Sequence, residues 1–200
     1  MAEPYSPVGR AAALSSSVER MAEHFETRQW VPFSVEAVFA FFAVPRNLPR
    51  LMPAELQTRI EGLKLVPPPS DPPQGRRTDF IAAGVGSEIV LSFQPIPWLR
   101  HRSSWTERIV KFEWNRYFCD AQVQGPFAAF VQRHGTQPET RDGVEGTLVS
   151  DDIEYTLPFG PLGRLGRSFV RKQLEASFAH RQQRLLQILK LEARVAASQI

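Results

Sequence analysis

Hydrophobic and polar residues alternate between Asp151 and Leu157. Ile153, Tyr155 and Leu157 take one side, Asp152, Glu154 and Thr156 the other. A spacing of two predicts a strand with one buried face. Pro158, Gly160 and Pro161 end it, since proline cannot donate to a ladder and glycine takes unusual backbone angles. Beyond Gly160, Gly163 and Gly166 the period becomes helical. Val170, Leu174, Phe178, Leu185, Ile188 and Leu189 fall on one side, opposite Lys172, Gln183, Gln187 and Lys190. The pattern predicts a helix to about residue 193, longer than the mean of about 11–12 residues. Such a helix must lie on another element. Arg181 shares its apolar stripe, three residues after Phe178 and four before Leu185. Two readings stand: a stem that snorkels to water, or an inward cation that pairs with a carboxylate or an acidic ligand.

The upstream chain reads as the sheet beneath that helix. Strands are expected over 21–31, 56–66, 85–94, 102–112, 117–123, 127–135 and 147–157. Ser34 is a good N-cap for a short apolar helix, VEAVFAFFA, which stops before Pro45, and residues 47–51 allow a second one. Five prolines between 67 and 73 predict a stiff loop over 66–77, a lip over an opening. Pro95, Pro97 and Trp98 predict a turn, and residues 136–146, polar with two glycines, a loop. Short turns between consecutive strands imply an antiparallel sheet, and the segregated helices make the class α+β. Residues 1–20 read as a mobile N-terminal tail and 21–195 as one domain.

Charge and cysteine content narrow the function. Two hundred residues with a net charge of +3 carry only short basic runs, such as Arg76–Arg77 and the Arg164, Arg167, Arg171 set. A nucleic-acid partner would ask for a concentrated basic track. Cys119 is the only cysteine, which excludes an intrachain disulfide and a cysteine-built zinc site. No apolar run approaches the roughly 18–20 residues of a membrane span, and the N-terminus lacks a secretory apolar core. A cytoplasmic protein without an integral membrane segment is the expectation.

Several motifs together carry a resemblance: Trp105-x-Glu107, Phe118-x-Asp120-x-Gln122, Gly125-Pro126-Phe127, the run Asp151-x-Ile153-x-Tyr155-x-Leu157-Pro158-Phe159-Gly160-Pro161-Leu162-Gly163, and Phe178-Ala179-His180-Arg181. With the element order, they make the chain resemble the START-like (SRPBCC) superfamily, the helix-grip fold of the birch pollen allergen. Within it the chain is similar to the bacterial polyketide cyclase/dehydrase-like group. The resemblance spans about residues 23–189. It implies a curved seven-stranded sheet wrapped around the long C-terminal helix, two short helices after the first strand, and an apolar cavity between sheet and helix. It also implies a hydrophobic ligand (lipid, polyketide or aromatic metabolite), with cyclisation or dehydration in a minority of members. That group often carries Trp-x-His-x-His where this chain has Phe130, Gln132 and His134. No metal and no cofactor are therefore expected.

The apolar residues expected to line a cavity are Trp105, Ile109, Phe118, Phe127, Phe130, Ile153, Tyr155, Phe159, Phe169, Leu174 and Phe178. The same faces carry Glu107, Asp120, Gln122, Gln132, His134 and Asp151. Buried unmatched charge is costly, so three readings are open for this set. The groups pair with one another and with Arg181; or Arg181, Gln122, Gln132 or His134 anchors a polar group of the ligand; or Glu107 or Asp120 acts as base with His134 as acid. A protein-interaction module and a homodimer are left open beside the ligand-binding reading. Gly160, Gly163 and Gly166 lack the context of a phosphate loop and point to close packing at the helix entry.

Overall fold

The structure, a computed structural model, describes residues 22–68, 82–94 and 101–198. The alternating segments form seven strands: β1 (Glu23–Val31), β2 (Arg59–Lys64), β3 (Glu88–Phe93), β4 (Ser103–Glu113), β5 (Tyr117–Gln124), β6 (Ala129–Arg141) and β7 (Val144–Thr156). They pair antiparallel in one curved sheet of order β1-β7-β6-β5-β4-β3-β2. Between β1 and β2 lie α1 (Val35–Ala43), α2 (Leu48–Leu51) and two short 3-10 turns. A 3-10 segment (Gly160–Gly166) leads into α3 (Arg167–Ala197), which lies in the grip of the sheet. The Ser34 hydroxyl caps α1 by accepting from the Ala37 amide.

Helix burial follows the sequence pattern. Phe178, Leu185, Ile188 and Leu189 are buried, while Lys172, Gln183, Gln187 and Lys190 face out. At the C-terminal half of α3, Leu185, Ile188 and Leu189 pack with Val31, Val38, Phe41, Leu51 and Val149. Further along the sheet, Phe39 of α1 meets Ile89, Ile109 and Phe118. Phe178 packs with Phe25, Phe130, Ile153 and Tyr155. α1 is apolar nearly all round because it is enclosed between sheet and α3.

One expected loop is a hairpin. Residues 136–146 continue β6 and begin β7, with only Asp142 and Gly143 in the turn, at φ 51° and 76°. Positive φ at both central residues is the turn that suits strand twist, and Asp-Gly is its sequence signal. Pro138 disguises the strand. It is tolerated because β5 pairs with β6 only as far as Gly135, so the residues beyond have a free edge on that side. The N-terminal tail, most of the proline-rich 66–77 loop and the Pro95–Trp98 turn lie outside the described residues.

Candidate functional site

Sheet register assembles a polar row on the concave face. Asp120 of β5 stands opposite Gln132 of β6, and His134 of β6 opposite Asp151 of β7. Glu107 of β4 stands opposite Gln122, two residues from Asp120. Diagonal neighbours of this kind lie within reach of long side chains. Register shifts at Thr106/Glu107 and Ile109/Lys111 flank Glu107 and Ile109. Such bulges bend the strand and re-aim side chains.

Five of these groups form one hydrogen-bonded chain. His134 Nδ1 lies 2.6 Å from Asp151 Oδ1, and Nε2 lies 3.1 Å from Asp120 Oδ1. Gln132 Nε2 donates to the same Asp151 oxygen at 2.9 Å. Glu107 hydrogen-bonds Asp120 at the other end. Both imidazole nitrogens thus face carboxylates, the arrangement of an imidazolium. Burial opposes that charge, but the hydrogen bonds to Asp120 and Asp151 outweigh it and push His134 up to about 9. The ring sits between Phe118 and Phe42, with centroids 4.5 and 6.3 Å away. Burial also opposes the charged form of Asp151, yet the His134 charge holds its carboxyl below the usual range.

Glu107 behaves differently. It lines the cavity, and burial there, with the neighbouring Asp120 charge, raises its pKa to about 8. It is a neutral carboxylic acid at pH 7, able to donate a proton or a hydrogen bond.

Above the row is a chamber of about 50 Å3, room for a few waters at about 10–15 Å3 each. Glu107, Ile109, Phe118, Asp120 and His134 line it from the sheet, Phe41, Phe42, Leu48 and Leu51 from the short helices, and Arg181 from α3. A second space of about 10 Å3 lies beside it toward Gln29, Asp151 and Gln182. Phe42, Leu51 and Arg181 line both and form the partition between them. Arg181 makes no hydrogen bond or ion pair among the described residues. Its guanidinium lies 4.6 Å from the Phe178 ring centroid, and its charge is felt by Glu107 and Asp151.

The expected site residues therefore separate. Glu107, Ile109, Phe118, Asp120, His134 and Arg181 come together at the chamber. Trp105, Phe127, Phe130, Ile153, Tyr155, Leu174 and Phe178 fill an adjoining packed cluster. Within it the buried Trp105 indole N–H has no hydrogen-bond partner among the described residues. Gln122 donates to the Phe127 carbonyl at 2.8 Å and so closes the β5–β6 connection. Phe159 and Phe169, expected inside, are exposed, because the 3-10 segment carries them to the outer surface. Sequence reasoning passed over Phe41, Phe42, Leu48 and Leu51. The signal was there in the all-round apolar character of VEAVFAFFA, which a solvent-facing helix would not have. Cys119 is buried away from the chamber, and burial pushes its thiol up to about 11. No cluster of ligating side chains suited to a metal occurs among the described residues, and no helix there is long and apolar enough to cross a membrane.

The architecture recurs in solved structures. Norcoclaurine synthase from Thalictrum flavum aligns over 93% of this chain and 98% of its own, with 11% identity and a TM-score of 0.57. Ara h 8.0201 aligns over 83% and 99%, with 13% identity and a TM-score of 0.52. StfQ, a di-domain ARO/CYC of the steffimycin biosynthetic pathway, aligns over 88% of this chain with a TM-score of 0.59 and 12% identity, and the chain spans about half of its length (53%). No family model matches the sequence, and no curated protein does. Together the grip of sheet on helix and these alignments show that the chain has the helix-grip fold of these structures.

Proposed function

We propose that the protein binds a small hydrophobic molecule bearing a hydroxyl, carbonyl or carboxylate, held between sheet and α3. The observation that carries this reading is the polar row set into an otherwise apolar chamber, with Arg181 above it making no hydrogen bond among the described residues. Pockets for organic ligands combine apolar walls with a few placed polar groups. Arg181 offers a cation that can meet an oxygen of the ligand, and Glu107, whose O–H is shared with Asp120, offers its carbonyl oxygen to a ligand hydroxyl. An organic ligand of ordinary size needs several times the present volume, about 300 Å3 or more. Its entry must therefore push apart Phe42, Leu51 and Arg181 and merge the two spaces. Membership of the polyketide cyclase/dehydrase-like group, and a fatty or polyketide-derived ligand, agree with this chemistry. Native mass spectrometry of gently purified protein tests it against a denatured, extracted control. A reproducible co-purifying organic mass is expected. A clean apo mass, with no uptake from a panel of fatty acids and aromatic polyketides, would count against the reading.

Glu107 supports a second reading, a dehydratase or cyclase. A carboxylic acid neutral at pH 7 and facing a cavity is suited to general acid catalysis. Its O–H would protonate a departing hydroxyl, which leaves as water, and the carboxylate formed would take the proton from the adjacent carbon. His134 has both nitrogens engaged by carboxylates, so its part in that reading is to hold Asp120 in place. A Glu107→Gln variant that still binds ligand but loses all turnover would favour this reading over simple binding.

A further inference from the structure

Large apolar side chains are exposed at scattered single positions over most of the molecule, but four gather in one place. Phe159, Leu162, Leu165 and Phe169 are 84%, 73%, 86% and 66% exposed. Isolated exposed hydrophobics need no explanation, whereas contiguous ones mark an interaction surface. The backbone arranges this set. Residues three apart eclipse one another on a 3-10 helix, so Leu162 and Leu165 share one side of the Gly160–Gly166 segment, with Phe159 directly before it and Phe169 at the start of α3, and the four make one exposed apolar ridge. Phe159 has φ 66°, a conformation that a bulky side chain adopts at a cost and holds only where its surroundings impose it. Gly163 permits the tight turn there, since a Cβ at that position would lie 2.1 Å from the Pro158 carbonyl oxygen. Inner residues of the same stretch, Leu157, Val170 and Leu174, pack on the Phe25, Phe130 and Tyr155 cluster and anchor the ridge.

Charge identifies the occupant. Between Thr156 and Glu175 the sequence contains Arg164, Arg167, Arg171 and Lys172 and no acidic residue. Arg167 pairs with Glu23 and Arg171 with Glu175, both on the surface, while Lys172 is exposed. With those two arginines balanced by Glu23 and Glu175, the stretch keeps a positive excess in sequence from Arg164 and Lys172. Exposures this high mean that the side chains project instead of lining a groove. Projecting apolar side chains flanked by cations insert among lipid headgroups and draw the protein to an anionic surface. We propose that the Phe159–Phe169 ridge docks the protein peripherally on an anionic lipid bilayer. This proposal stands independently of the chamber and its ligand.

Co-sedimentation of the full chain with phosphatidylcholine vesicles, with and without phosphatidylglycerol, tests it. Binding is expected to the anionic vesicles, to weaken as salt rises, and to fall at least about tenfold in a Phe159→Ser, Leu162→Ser, Leu165→Ser variant, from the lost apolar insertion. Thermal melting of that variant should match the parent, because all three side chains lie outside the core. In a separate Phe159→Trp variant, anionic vesicles should blue-shift the new indole and brominated lipid should quench it. Absence of binding by the parent protein would overturn the proposal, as would equal binding by the triple variant. A parent dimer that the triple variant converts to monomer would assign the ridge to a second copy instead. An unshifted, unquenched indole would also overturn it.

Discussion

His134 is bonded to Asp151 at 2.6 Å directly across the β6–β7 pair. It is shorter than the 3.1 Å contact of the same ring with Asp120, and sheet register sets its two residues directly opposite each other. It joins a buried cation to a buried anion, so each charge is tolerated only through the other. The row is a structural element before it is anything else. Whatever the chamber holds meets groups biased by their surroundings, Glu107 toward its neutral form, His134 toward its cation and Asp151 toward its anion.

Asp151→Ala tests that interdependence. It leaves the imidazolium with one partner and strips the Gln132 amide of its acceptor. Loss of one partner of a buried pair costs about 3–5 kcal/mol. Urea denaturation should show a fall of that size. A change under about 1 kcal/mol would mean that water reaches and solvates the row.

Stability should fall as pH rises from mildly acidic to alkaline. Glu107 keeps its proton up to about 8 in the folded chain but loses it near 4.5 when unfolded. His134 stays charged up to about 9 when folded but only to about 6.5 when unfolded. In both windows the native state binds the more protons, so the slope of unfolding free energy against pH is negative, at most about 1.4 kcal/mol per pH unit for each group. Asp151 works in the opposite direction and destabilises the fold once pH drops below its unfolded value of 3.8. Thermal melts should therefore peak at acid pH, between about 3.8 and 4.5, where neither effect has set in. Glu107→Gln should flatten the profile from 4.5 to about 8 and leave the histidine arm in place.

Arg181→Leu separates anchoring from support. The guanidinium makes no hydrogen bond among the described residues and rests on Phe178, so stability should change by only about 1 kcal/mol or less, the worth of a cation–π contact. Affinity for a carboxylate-bearing ligand, measured by calorimetry, should drop at least about tenfold, the loss of one charge-assisted hydrogen bond. Unchanged affinity with a large loss of stability would assign Arg181 to the fold.

Position along α3 should grade the cost of truncation. Phe178 is 4% exposed and Phe169 66%. Phe178→Ala should cost about 3–5 kcal/mol, whereas Phe169→Ala should stay within about 0.5 kcal/mol. Equal costs at the two sites would refute the placement of the helix face.

Much of this protein is legible in its periodicity. Alternation in Asp151–Leu157 and the stripe from Val170 to Leu189 are local properties of a pleated strand and a 3.6-residue helix, and each side chain's direction follows from its own backbone. So the strands, the helix face and the inward aim of Glu107, Asp120 and His134 could be read in advance. The tertiary structure decided what periodicity cannot carry. Which strands neighbour one another placed His134 opposite Asp151 and Asp120 near Glu107, and only those long-range pairings turn four titratable groups into one row with set charges. Phe42 and Leu51 became chamber walls because α1 and α2 fold back under α3. Phe159 and Phe169, apolar by composition, were sent outward by a 3-10 turn with positive φ at Phe159. Hydrophobicity states a preference for burial, but the backbone path decides which apolar side chains can satisfy it.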